Sequence, residues 1–89
     1  MFDDITVNAR IKERHPELQE DDVKSAWNNA VKYAERTAGS IPGPLLVAIG
    51  TDSKGRLLEM IGVATSDAIH IFHAMTPPSK KTIEELGMK

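Results

Sequence analysis

The rhythm of apolar residues changes once along the chain and divides it into a helical half and a sheet half. Val23, Ala26, Trp27, Ala30, Val31 and Ala34 recur at the i, i+3, i+4, i+7, i+8, i+11 spacing, which puts them in one stripe along a helix. Glu20, Asp21 and Asp22 fill its first turn, and Lys32 and Arg36 fall toward its C-terminal end, each where the helix dipole favours that charge. Gln19 is the expected cap, Leu18 and Val23 are placed for a hydrophobic staple, and Gly39 is a plausible stop. A shorter helix is predicted before it, from about Thr6 to Arg14. There Val7 and Ile11 share a face, and Pro16 bars the continuation.

After the Pro- and Gly-punctuated segment Ala38–Pro44, read as a loop, the runs shorten. Leu45–Ile49 is predicted as a strand, Thr51–Arg56 as a turn in which Gly55 supplies a positive φ, and Leu57–Val63 as the next strand. Thr65–Asp67 is a second turn and Ile69–Met75 a third strand. Strict alternation there puts Ile69, Ile71, His73 and Met75 on one face, and His70, Phe72 and Ala74 on the other. Thr76-Pro-Pro-Ser79 breaks the strand. Lys80–Leu86 can form a last helix, opened by Thr76 or Ser79 and ended by Gly87. The expected fold is therefore α+β, a single domain over residues 1–89. It comprises two N-terminal helices, a three-stranded antiparallel meander and a short C-terminal helix.

Composition narrows the classes. Four aromatic residues, Phe2, Trp27, Tyr33 and Phe72, serve a chain of 89, so a homo-oligomer or bound partner would be a natural supplement to a small core. The absence of cysteine excludes a disulfide framework and a thiolate metal site. No secretory signal is visible and the apolar runs are far too short for a membrane span; a cytoplasmic protein is expected. The net charge of −2 hides an asymmetry. Residues 1–22 carry seven acids against three bases, and the remainder eight bases against six acids. A local basic surface is compatible with that distribution, although the total charge alone does not suggest nucleic acid.

Neither a phosphate-binding glycine loop nor a serine nucleophile elbow is present, so nucleotide hydrolysis and serine-hydrolase chemistry lack support. The histidines His15, His70 and His73 have no metal-ligand spacing, and the last two are expected on opposite strand faces; neither metal nor cofactor is expected. His73, near the end of the third strand, suits a general acid or base, or else a half-buried histidine bonded to backbone. Arg14 and His15 end the first helix, where a cation suits the dipole or a phosphate. Lys54 and Arg56 flank the hairpin glycine, as a solvated tip or a phosphate clamp. Lys80 and Lys81 open the last helix against its dipole, which suits a ligand site or ordinary surface tolerance. Glu59 reads as a solvent-facing strand position, and Trp27 as core.

Two segments resemble a known family. Arg14-His15-Pro-Glu-Leu-Gln-Glu-Asp-Asp-Val23, followed by an alanine-rich stretch, is similar to the Lys-His-Gly-apolar start of a helix in BrnT-type toxins. Gly55-Arg-Leu-Leu58, Ile69-His-Ile-Phe-His-Ala-Met75 and Thr76-Pro-Pro-Ser-Lys-Lys-Thr-Ile-Glu-Glu85 resemble that family's tail. The resemblance implies a RelE-like fold, ribonuclease activity that halts translation, RNA as substrate, and a protein antitoxin that masks the active surface. His15, Arg56, His70 and His73 are the matching polar positions; His70 and Met75 stand where the family has arginine. The enzyme reading is a toxin of a type II toxin–antitoxin system, a metal-independent endoribonuclease. Arg14, Lys54, Arg56, Lys80 and Lys81 would hold RNA, while His73, with His70 or His15, moves protons. The other reading is a non-enzymatic protein–protein module of the same fold, suggested by exposed-looking Met60, Met75 and Met88.

Overall fold

The computed structural model describes residues 4–36 and 45–88. The chain runs β1 (Asp4–Val7), α1 (Arg10–Arg14), α2 (Glu20–Asn28), β2 (Ala30–Arg36), β3 (Leu45–Thr51), β4 (Leu57–Ala64), β5 (Ala68–Met75) and α3 (Lys80–Glu85). The strands form one mixed five-stranded sheet in the order β1-β5-β4-β3-β2. From β2 to β5 it is an antiparallel meander; β1 closes the other edge, parallel to β5.

This corrects the expected two helices, three-stranded meander and RelE-like layout. The N-terminal element is a strand, because Ile5 and Val7 alternate with exposed Asp4 and Thr6 and pair with Ile69 and Ile71. Only Arg10–Arg14 of the first expected helix is helical. The second helix stops at Asn28, six residues short of Ala34, the last residue of its apolar stripe. Asn28 and Asn29 are weak helix formers that favour caps. Val31 and Tyr33 then suit an extended chain, and Ala30–Arg36 pairs with β3. The expected loop Ala38–Pro44 and the stop at Gly39 lie outside the described residues, as does Phe2.

The α2-facing side of the sheet holds the main core. Val23 and Ala26 of α2, with Leu18 and Ile11 before it, pack with Ala48, Leu58, Met60, Ile69, Ile71 and Ala74. Leu18 and Val23 are both buried here, as a staple requires. Each large apolar side chain buried this way contributes roughly 1.5–3 kcal/mol. Gly50 sets the approach of α2 to β3: a Cβ there would lie 2.0 Å from the Ala26 carbonyl oxygen. Met60, expected at the surface, is fully buried in this core.

α3 lies on the opposite side. Ser79 caps it by accepting the Thr82 N–H at 3.3 Å, and Gly87 ends it at φ 71°. Arg36 of β2 pairs with Glu85 of α3. That pairing holds the Glu85 carboxyl below, and the Arg36 guanidinium above, their ordinary values. No helix among the described residues is long and apolar enough to cross a membrane.

Candidate functional site

A β-bulge decides what β5 presents. Ile71 pairs with Gly62 and His73 with Ile61, so Phe72 is an extra residue in the ladder. The alternation therefore shifts by one. Ile69, Ile71 and Ala74 all enter the core, and His70, opposite Val63, shares a sheet face with His73, opposite Ile61. This corrects the expectation that the two histidines face opposite ways. No local sequence signal marks the bulge.

β1 pairs with β5 only as far as Ile71, where Asn8 N–H donates to the Ile71 carbonyl at 2.8 Å. Past that point the chain turns into α1, which packs against β5. Asn8 Oδ1 accepts the Arg10 N–H at 2.9 Å and fixes the turn. Between α1 and β5 lies a cleft of about 270 Å³ lined by Asn8, Arg10, Ile11, Arg14, His15, Phe72, His73 and Ala74. Two arginines and two histidines face it, and no carboxylate is among the described lining residues. Neither arginine has an ion-pair partner among the described residues.

Behind His73 stands Glu59, only 4% exposed rather than solvent-facing. Its Oε2 is 2.7 Å from His73 Nε2. Its Oε1 accepts the Ser79 N–H at 2.9 Å and the Ser79 hydroxyl at 2.8 Å. Burial pushes this carboxyl up, but the bonds from Ser79, His73 and Thr82 outweigh that and hold it below its ordinary value. The ionised carboxylate can only accept, so Nε2 of His73 carries a hydrogen. In the neutral ring the lone pair is then on Nδ1. The sequence did carry a signal for Glu59, whose same-face neighbours Leu57 and Ile61 are apolar. A carboxylate between them needs a buried partner.

The other expected site residues divide. Arg14 and His15 line the cleft, and His15 Nδ1 is 3.7 Å from Glu17 Oε2. His70 flanks it: Thr6 Oγ1 is 2.7 Å from its Nδ1, and Asn8 Nδ2 is 3.5 Å from its Nε2. Lys54 and Arg56 are instead engaged with acids. Arg56 reaches Asp52 Oδ2 at 2.9 Å, Asp22 Oδ2 at 3.1 Å and the Glu17 carbonyl at 2.9 Å. Lys54 Nζ reaches the same Asp22 oxygen at 3.1 Å. Lys80 and Lys81 are exposed on α3, outside the cleft lining. Sequence reasoning missed Asn8, Arg10 and Phe72. Among the described residues no group of three or more His, Asp or Glu is arranged to hold a metal ion.

Comparison with models of protein families, with curated proteins and with solved structures finds no match to this chain.

Proposed function

We propose that the chain is a metal-independent endoribonuclease of the toxin type, acting through the cleft between α1 and β5. The observation that carries this reading is His73 itself, backed by the buried Glu59 and facing a cleft also lined by Arg10, Arg14 and His15. Two guanidinium groups with no acid beside them suit a phosphodiester, which guanidinium binds in bidentate fashion. The family resemblance noted in the sequence points the same way.

In this mechanism Nδ1 of His73 takes the proton of a 2′-hydroxyl. The 2′-oxygen attacks the adjacent phosphorus, and the bond from phosphorus to the 5′-oxygen breaks. His15, beside Glu17, gives a proton to that leaving oxygen. The products are a 2′,3′-cyclic phosphate and a 5′-hydroxyl. Arg10 and Arg14 neutralise charge on the non-bridging oxygens. His70 is held by Thr6 and Asn8 at the rim, where it contacts the flanking backbone. A protein antitoxin would act by covering the cleft.

The test is cleavage of a single-stranded RNA by the purified chain in chelator, with products resolved by end-group chemistry. Cyclic phosphate ends are expected, and His73→Ala should lower the rate per folded molecule about 100- to 10,000-fold. A wild-type protein that leaves RNA intact, or a His73→Ala variant that cuts as fast, refutes the proposal.

One feature favours a second reading, a non-enzymatic interaction module. Val31 and Tyr33 are 63% and 70% exposed on the edge strand β2. Tyr33 also borders a groove of about 420 Å³ lined by Ile5, Trp27, Ala30, Leu46 and Ala48. Under this reading, Val31→Lys with Tyr33→Lys should abolish self-association or partner capture in sedimentation, with no RNA cleavage by either protein.

A further inference from the structure

We infer that Phe72 is the stacking platform for one base of a single-stranded RNA held in this cleft, an inference that rests on the nuclease reading above. The bulge sends Ile71 and Ala74 into the core on either side and leaves Phe72 outside the alternation. As a result the largest apolar side chain of β5 is only half-buried and lines the cleft. It is the only Phe, Tyr or Trp among the described lining residues. A chain whose phosphate sits on Arg10 and Arg14, with its 2′-hydroxyl at His73, must place a neighbouring base nearby. The aromatic face that lines the same cleft is where that base gains most.

Two consequences follow. A base inside a duplex already has both faces covered, so the substrate must be unpaired at this position. An aromatic platform accepts every base, because each has a π-face, so the site contributes affinity with little sequence preference. If Phe72 only sealed the end of the core under Ile11, its replacement would change stability and leave nucleic-acid affinity alone.

The experiment uses the whole chain and a 2′-O-methyl hexanucleotide, which cannot be cut because its 2′-oxygen bears no proton. Binding is read by fluorescence anisotropy, with a single abasic residue moved along the probe. At one position the abasic probe should bind wild type about tenfold more weakly than the intact probe. Phe72→Leu should bind both at the weaker level, and Phe72→Trp should keep the distinction. Abasic replacement that costs nothing at any position, or costs Phe72→Leu as much as wild type, overturns the inference. If Phe72→Leu fails to fold, the wild-type scan and Phe72→Trp decide alone. A wild type that cuts RNA but ignores the abasic residue removes only the stacking role. One that neither binds the probe nor cuts RNA removes the nuclease reading as well.

Discussion

The hairpin between β3 and β4 and the cleft between α1 and β5 use the same side-chain chemistry to opposite ends. At the hairpin, Asp22 and Asp52 meet Arg56 and Lys54, and the charges are spent on one another. Asp52 Oδ1 accepts the Lys54 and Arg56 N–H groups at 2.9 and 2.8 Å and shapes the turn, in which Gly55 takes φ 81°. Asp22 Oδ2 accepts the Gln19 N–H at 2.9 Å as well and caps α2. In the cleft Glu59 sits behind His73 and Glu17 beside His15, while Arg10 and Arg14 face open space. Cations matched by buried acids hold a fold together; cations left facing a cleft are positioned for an anion from outside.

Acid is the strongest way to break the first arrangement. Asp22, Asp52 and Glu59 are pushed up by burial, but the hydrogen bonds and cations around them win and hold their carboxyls below the ordinary value. For Glu85 the bond from Arg36 is the leading cause. With depressed folded-state pKa values, the unfolded chain binds protons more readily. The stabilisation is therefore complete above the ordinary carboxylate range of about pH 4 and is lost as pH falls through the depressed values. Denaturant unfolding from pH 7 to pH 2 should show a flat stability at the top and a steep loss below about pH 4. Equal stability at both ends would mean that the network contributes nothing.

Asp52→Ala should have the next largest effect. Its side chain is wholly buried against Arg56, and removing one partner of a buried pair costs about 3–5 kcal/mol. Urea unfolding measures the loss; RNA cleavage per folded molecule should not change. Glu59→Gln is the counterpart in the cleft. It keeps the size of the side chain but removes the charge and frees the tautomer of His73, so kcat should fall about 10- to 1,000-fold while KM stays nearly constant. A change confined to KM would make Glu59 a binding element and erase the contrast between the regions.

How much of this was legible in the residues depends on whether local pattern or long-range pairing decided the outcome. The strands β3, β4 and β5, the glycine of the hairpin and the Ser79 cap all follow from short-range chemistry and stand as expected. β1 was hidden because four residues of alternation compete with a helical pair, Val7 and Ile11, and only its partner β5 settles the matter. β2 was hidden because its alanines fit the stripe of α2, and its pairing with β3 is a tertiary event. His73 was legible as a site candidate. That Phe72 joins it, and that His70 shares its face, depends on one inserted residue in the ladder. An alternation rule applied without a register must misassign everything beyond such a point.

Arg10→Ala and Arg14→Ala probe the second arrangement at lower amplitude. Each should weaken RNA binding several-fold across sequences and reduce the salt slope by about 1. Melting temperatures should barely move, since neither guanidinium has a described ion-pair partner. A large loss of stability would mean that these arginines belong to the fold as Arg56 does.

Lys54→Ala should have the smallest effect, and it discriminates because Lys54 belongs to either region depending on how the hairpin is read. As a phosphate clamp it would behave like Arg14, with a loss of RNA affinity and a lower salt slope. The geometry assigns it to the network: its ammonium shares Asp22 Oδ2 with Arg56, yet its side chain is 56% exposed. Solvent screens such a pair, so the substitution should cost less than about 1 kcal/mol. Asp22 keeps Arg56 and the Gln19 N–H, so the cap survives. RNA affinity and its salt slope should match wild type. If the salt slope falls instead, the hairpin tip reaches the nucleic acid, and the boundary between paired and available charge must be drawn through Asp22 rather than around it.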